Sequence, residues 1–337
     1  MRRPPSPAML LIVAACAVAA QRSTVAANPV ITDPARTDAD YAVQGEYLGD
    51  VTGAGEAHRF GVQVIAGGEG RFDVVAYPGG LPGAGGAGER RVHGKAAPAG
   101  DGVVVEQLDL GAGAKKVEIR DGAILVHHEG GTTSTLPRQV RTSPTLGQKP
   151  PPGAVLIYDG VNGSTDTGKL VGGRTTDDGL LMEGTTSKDS FGDALWHIEF
   201  RTPYQSRDRG QGRGNSGVYV QSAYEVQVLD SFGLKGENNE CGGIYGVKAP
   251  LLNMCLPPLQ WQTYDIEFSA PRFTDGKKTA NARMTVRHNG VVVQQDTEVP
   301  GPTTAAPASK EQPTGPLHLQ QHGNPVRYRN VWVLPKG

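Results

Sequence analysis

The residue types best suited to chemistry lie between Asn215 and Gln227, in NSGVYVQSAYEVQ. Two strand-like runs, Gly217–Gln221 and Tyr224–Leu229, are separated by a very short turn. Successive strand side chains point to opposite faces. One face therefore carries Val218, Val220, Val226 and Val228. The other carries Asn215, Tyr219, Gln221, Glu225 and Gln227: three amides, a phenol and one carboxylate. A sheet needs only one apolar face to fold. A second face with this many donors and acceptors, opening on Gly-rich loops, suits a polyhydroxylated ligand such as a sugar. Alternation by itself also produces an ordinary solvated face, so the pattern leaves both open.

The surrounding chain must supply a sheet to carry that face. Of 337 residues, 47 are Gly and 25 Pro, and long helical periodicities are absent. Many short β-branched runs between turn residues indicate an all-β protein, and the length suits two domains. Residues 28–141 read as a small antiparallel β-domain of five to seven strands, with units at His58–Ile65, Gly70–Tyr77, Gly102–Leu110, Lys116–Arg120 and Ala123–His127. Turns are signalled at 66–69 and by Asp121-Gly122. Pro78–Gly88 reads as a loop without core-forming residues, and His127-His128 as a strand-end pair, either solvated or ligating. Residues 142–153, TSPTLGQKPPPG, read as a Pro-rich, semi-rigid linker. From Ala154 to Gly337, ten or more short strands include a half-buried one with Trp196, Ile198 and Phe200 facing inward. Asn289-Gly290 marks a hairpin, and the whole suggests a two-sheet jelly-roll sandwich. The polar stretch Thr303–Pro313 fits no element.

The formal net charge of −1 favours neither nucleic acid nor an anionic membrane as partner. Arg2 and Arg3 followed by apolar Ala8–Ala20 form a signal peptide, with 1–27 removed on export to the periplasm or medium. The apolar run is too short to span a bilayer. Val13-Ala14-Ala15-Cys16 also resembles a lipobox, which would make the protein a lipoprotein anchored at Cys16. Cys241 and Cys255 remain in the mature chain, and an exported protein favours a disulfide between them over two buried thiols. No CxxC or HxxxH pair marks a metal site, and no motif calls for a cofactor. Scattered ligands leave a divalent metal open.

The second domain resembles the bacterial 3-keto-disaccharide hydrolase family. The resemblance rests on LWHIEFRTP, GNSGVYVQ, YEVQVLDSFG, GGIYGVKAP, WQTYDIEFSAPRF, VRHNGVVVQ and GPLHLQQHGNPVRYRNVWV, in that order, across Tyr158 to Leu334. It implies a concanavalin-A-like (laminarinase-type) jelly roll and an exported enzyme. AYPGGLPG in the first domain is similar to planctomycete-type two-domain members, and no function is implied for that domain. The chemistry implied is cleavage of glycosides already oxidised to a ketone at C3. The ketone acidifies the C2 proton; a base removes it, the C1 group leaves, and water adds back. That needs a base, a polariser for the enolate oxygen and an acid for the leaving oxygen.

On this chain the resemblance makes Glu225 the base and His322 the proton shuttle. Lys248 or Arg213 would polarise the ketone. Asn215, Gln227, Tyr245, Gln320 and Asn324 would hold sugar hydroxyls, with Asp230 in reserve. Each has a plainer reading: a Glu225–Lys248 salt bridge, a turn capped by His322, a core role for Tyr245. Laminarinase-type enzymes carry ExDxxE on the comparable strand. Here YEVQVLD has Gln227 where a second acid would stand, against double displacement by two carboxylates. A non-catalytic carbohydrate-binding module and an ordinary glycosidase are the alternatives. The first predicts binding without turnover.

Overall fold

The computed structural model describes residues 28–336 apart from 53, 54, 87, 89, 112 and 162. The expected leader and Cys16 lie outside the described residues. The described chain is almost entirely antiparallel sheet, as its turn-punctuated β-branched runs require.

Among the described residues eight N-terminal strands, rather than five to seven, form the main sheet: Gly45–Thr52, Ala57–Gly68, Arg71–Pro78, Val92–Ala99, Gly102–Glu106, Ala114–Arg120, Ala123–His128 and Thr133–Gln139. Each pairs with the next, and the first pairs with the last through Glu46–Gln139 and Tyr47–Arg138, closing a barrel. Closure satisfies both edges, which an open sheet would leave exposed. Tyr47, Val62, Val64, Phe72, Ile124 and Leu136 are among the side chains in its packed core. Glu69-Gly70 (φ 58° and 73°) and Asp121-Gly122 (φ 50° and 73°) make tight hairpin turns with left-handed residues. The 78–88 loop does contain a core residue: Leu81 is buried. It lies against the barrel because Gly61 has no side chain; a Cβ there would stand 2.4 Å from the Gly80 carbonyl carbon. His127 lies 3.0 Å from the Glu118 carboxylate, and His128 lies 2.9 Å from the Ser134 hydroxyl. Both are thus engaged by barrel neighbours.

The C-terminal part is a two-sheet sandwich. The larger sheet orders Val155–Tyr158, Arg327–Pro335, Ala194–Arg201, Gln262–Ser269, Ala282–His288 and Val291–Val299, with Leu181–Met182 beside Arg327–Pro335. The smaller orders Leu170–Val171, Thr185–Phe191, Gly315–Leu319, Ser216–Val220 and Tyr224–Val228. Trp196, Ile198 and Phe200 from one sheet meet Val218, Val220, Val226 and Val228 from the other in a fully buried core. The outward parity of Ala194–Arg201 carries His197 and Glu199, which are also buried. They are covered by the first half of the Pro-rich segment. Thr145 donates to Asp265 (2.7 Å), the Gly147 N–H donates to Glu199 (2.5 Å), and the Gln148 carbonyl accepts from Asn330 (3.0 Å) and Trp332 (3.2 Å). Residues 143–148 therefore act as a strap on the sheet rather than as a free spacer.

Barrel and sandwich share packing. Ile65, Val75 and Tyr77 of the barrel belong to the sandwich core cluster. Ile31 bridges Tyr204, and Tyr204 packs edge-on against Tyr41 at 5.1 Å.

Candidate active site

Strands Ser216–Val220 and Tyr224–Val228 pair with Tyr219 opposite Glu225 and Gly217 opposite Gln227. The polar face expected from alternation is therefore brought together across the ladder. Gln221 and Ser222 turn the chain with φ 54° each. The 303–308 loop clamps this turn: the Thr303 and Ala308 N–H groups donate to the Ala223 and Ser222 carbonyls, and the Glu225 N–H donates to the Thr303 hydroxyl at 3.0 Å. The outer edge of Tyr224–Val228 is covered by 242–245. The Gln227 N–H donates to the Gly243 carbonyl (2.9 Å), and the Tyr245 N–H donates to the Glu225 carbonyl (3.2 Å). Backbone pairing thereby delivers the Tyr245 side chain beside Glu225.

The result is a cleft of about 90 Å³ lined by Gln211, Asn215, Tyr219, Glu225, Gln227, Tyr245, Thr304, Ala305, Gln320 and His322. Tyr219 donates its hydroxyl to Glu225 Oε2 at 2.7 Å and accepts from Gln320 Nε2 at 3.2 Å. Glu225 Oε1 occupies the space beside Gly217; a Cβ on that glycine would stand 2.3 Å from it. Glu225 is 2% exposed, and no Lys or Arg pairs with it among the described residues. Burial pushes its pKa up to about 7, with the Tyr219 hydrogen bond acting in the opposite direction. An amide cluster stands next to it. Gln227 Nε2 donates to Gln211 Oε1 (3.0 Å), and Asn215 Nδ2 donates to the Gln211 carbonyl (2.9 Å). Gln227 Oε1 is buried without a hydrogen-bond partner, so a ligand hydroxyl donating there would relieve a desolvation cost of about 1–3 kcal/mol. The cleft has room for about three waters. Its mouth is bordered by exposed Thr304, Ala305 and His322. Larger hollows lie on the barrel (about 500 Å³) and between the barrel and Arg209 (about 340 Å³), but neither holds such a constellation.

Of the expected site residues, Glu225, His322, Asn215, Gln227, Tyr245 and Gln320 line one cleft. Four do not. Lys248 is exposed, and its Nζ lies 3.3 Å from the Thr297 hydroxyl. It neither pairs with Glu225 nor faces the cleft, because the Ile244–Lys248 bridge ends the covering segment beyond Tyr245. Arg213 and Asp230 form a buried ion pair at 2.7 Å, and Arg213 also donates to the barrel carbonyl of Ala66; both join the two halves of the molecule. Asn324 is buried and donates to Gln205 Oε1 and the Gly212 carbonyl. It accepts from the Asn215 N–H at 3.1 Å, so it positions a lining residue instead of lining the cleft. Cys241 and Cys255 are free, buried thiols here rather than a disulfide. The loop between them is held by other bonds: the Leu251 N–H donates to the Val293 carbonyl (2.8 Å), and Asn253 donates to the Ser231 carbonyl (2.7 Å).

Tyr219 shares the parity of the polar face, but the sequence alone assigns a phenol there no task. Gln211 lay within a Gly-rich loop that gave no sign of its direction, and Thr304 and Ala305 lay in the stretch that fitted no element. His318, opposite Tyr219 in register, adds an imidazole 5.9 Å from its ring and 2.9 Å from the Thr186 hydroxyl. Among the described residues no group of three or more His, Cys, Asp or Glu side chains could hold a metal ion.

A β-sandwich presenting one desolvated carboxylate amid amides and phenols has the make-up of a carbohydrate-active enzyme. Residues 148–334 match the family model described as a 3-keto-alpha-glucoside-1,2-lyase-like domain, and the chain belongs to that family. Two crystal structures from Parabacteroides distasonis, each named "putative glycosyl hydrolase", are similar to parts of the chain. One is 32% identical, with a TM-score of 0.49, covering 55% of this chain and 85% of its own. The other is 18% identical, with a TM-score of 0.40, covering 59% and 99%. No curated protein matches the chain.

Proposed function

We propose that the protein is an exported enzyme cleaving glycosides that carry a ketone at C3, by proton abstraction at C2 and departure of the C1 group. The observation that carries this reading is the state of Glu225. It is one carboxylate, desolvated, with its pKa raised to about 7, and among the described residues it is the only acidic side chain lining the cleft. A base poised near neutrality suits removal of a carbon acid's proton. The absence of a second carboxylate from the lining argues against the opposed pair of an ordinary glycosidase.

Each group then has a task. Tyr219 fixes Glu225 Oε2 and leaves Oε1 for the C2–H. The released electron pair forms an enolate, whose oxygen is met by a donor. Lys248 is out of place for that role. Tyr245 lines the cleft, and its hydroxyl makes no hydrogen bond to another described residue, so it takes over the role. His322, exposed at the mouth, protonates the leaving oxygen at C1. The product is an unsaturated 3-keto sugar, and addition of water across its double bond completes a net hydrolysis. Asn215, Gln227 and Gln320 orient the ring hydroxyls.

The test is incubation of the folded protein with an aryl 3-keto-glucoside and the unoxidised aryl glucoside. Aglycone release from the first alone is expected. Release from neither, together with sugar binding that persists in Glu225→Gln, would make this a lectin-like module.

A further inference from the structure

The barrel has no place in the reaction above, yet it builds a second surface. Its outer face between Arg71–Pro78 and Val92–Ala99 pairs Asp73 with Lys95 and Val75 with His93. Two hollows lie on this face and share Asp73. One, of about 340 Å³, is lined by Arg71 and Lys95 and by Arg209 from the sandwich. The other, of about 310 Å³, is lined by Arg91 and His93 and by Phe232, Leu234 and Lys235 from the sandwich. The groove thus has a barrel floor and two walls made of sandwich loops. One wall leads to the catalytic cleft: Arg209 is two residues from Gln211, at most about 7 Å along the chain.

The charge of this groove is unlike that of the chain as a whole. Five Lys and Arg side chains line it, with Asp73 and Glu106 as its own carboxylates, while the whole chain is at −1; Arg71, Lys95 and Lys235 are paired with Glu69, Asp73 and Glu237, which leaves Arg91 and Arg209 as the cations open to a ligand. Arg209 spends its guanidinium on the carbonyls of Ser206, Asp208 and Gly67, and Arg91 faces the Tyr77 hydroxyl. Among the described residues neither is paired with a carboxylate, so both keep their charge available. Exposed Leu234 adds apolar surface beside the cations.

We infer that this groove is an accessory subsite for anionic glycan, binding the carboxylate or sulfate groups of a chain whose reacting sugar lies in the Glu225 cleft. The inference rests on the carbohydrate reading, and it assigns the barrel the task of selecting acidic substrates. The two kinds of anion share the same recognition, since guanidinium and ammonium groups bind either.

The test is calorimetric titration of the full chain bearing Glu225→Gln, so that nothing turns over. The titrants are polygalacturonate, dextran sulfate, uncharged dextran and inorganic polyphosphate, at low and at high salt. At least one anionic glycan should bind tenfold or more tighter than dextran, and should weaken as salt rises; which one does so identifies the anion. Arg91→Ser with Lys235→Ser should weaken that binding about tenfold. In the chain that keeps Glu225, the same changes should leave turnover of a small, neutral 3-keto-glucoside unaltered. Arg209→Ser, on the opposite wall, is the second variant. Equal binding of dextran, equal binding of polyphosphate, or unchanged affinity in both sets of variants would each overturn the subsite. Acidic-glycan binding without any 3-keto-glucoside turnover would sustain the groove while removing the proposed reaction. Turnover with no preference for acidic glycan would do the reverse.

Discussion

Glu225→Gln separates the folding cost of the site from its chemistry. In the folded protein the carboxyl titrates at about 7, against 4.5 for an unperturbed Glu, because burial disfavours its charged form. Raising a carboxyl in this way means that the folded state holds its proton longer than the unfolded chain does. Stability is therefore unaffected below 4.5, falls as pH rises from 4.5 to about 7, and stays low above that. Carrying the group from 4.5 to about 7 corresponds to roughly 3 kcal/mol at high pH; structural relaxation makes this an upper figure. Gln keeps the shape and the Tyr219 contact but cannot ionise. Thermal melts of wild type and Glu225→Gln should nearly coincide at pH 4 and diverge above pH 7, with the variant more stable by about 1–3 kcal/mol. Over the same range kcat/KM of the wild type should rise with an apparent pKa near 7, while the variant loses at least 10²-fold at every pH. A variant less stable than wild type at pH 8, or a rate that falls as pH rises through 7, would refute the assignment of Glu225 as a desolvated base.

Four further outcomes follow from the geometry. Tyr219→Phe removes the bond that partly offsets burial of Glu225, so the acid limb of the rate profile should move upward from 7; an unmoved limb would show that Tyr219 does not set it. Gly217→Ala drives a Cβ to 2.3 Å from Glu225 Oε1 and should cost about 1–3 kcal/mol in a denaturant melt together with most of the activity; wild-type kinetics would contradict the placement of that oxygen. Lys248→Ala should change kcat/KM less than twofold, and a hundredfold loss would restore Lys248 to the reaction. Under the 143–148 strap, burial pushes Glu199 up, but hydrogen bonds from His197, Asn330, the Gly147 N–H and Arg329 outweigh it and hold its pKa at about 2. Its stabilisation is present above 4.5 and lost as pH falls toward 2. Glu199→Gln should therefore be less stable by about 2–3 kcal/mol at pH 7, with the gap closing toward pH 2.

Much of the fold could be read because its signals are local. Asp121-Gly122 and Asn289-Gly290 mark hairpins because left-handed turns favour those residues, and both turns are present. Trp196, Ile198 and Phe200 face the core because a period of two leaves them no other face. Barrel strands Val92–Ala99 and Thr133–Gln139 were not legible: VHGKAAPA and TSTLPRQ are poor in β-branched apolar residues, and each contains a Pro. They are strands because neighbours pair with them on both sides in a closed sheet. TSPTLG reads as linker composition, and only the buried carboxylates of Glu199 and Asp265 make it a strap.

For the site, parity on two short runs was enough to place Glu225, Gln227, Asn215 and Tyr219 on one face, because alternation is a property of the extended backbone itself. The family resemblance added His322, Tyr245 and Gln320, and these line the same cleft. Sequence could not reject Lys248, Arg213, Asp230 or Asn324, whose types suit the chemistry equally well. Their exclusion depends on loop paths: Lys248 is folded back onto Ile244 by a backbone bridge, and Arg213 turns into an ion pair at the barrel junction. Nor could it reveal that Thr304 and Ala305 close the cleft. The sequence by itself determined which side chains share a strand face, since that needs only the two-residue repeat. Burial, the raised pKa of Glu225 and the membership of the cleft were decided by the tertiary structure, because each depends on groups distant in the chain meeting around one carboxylate.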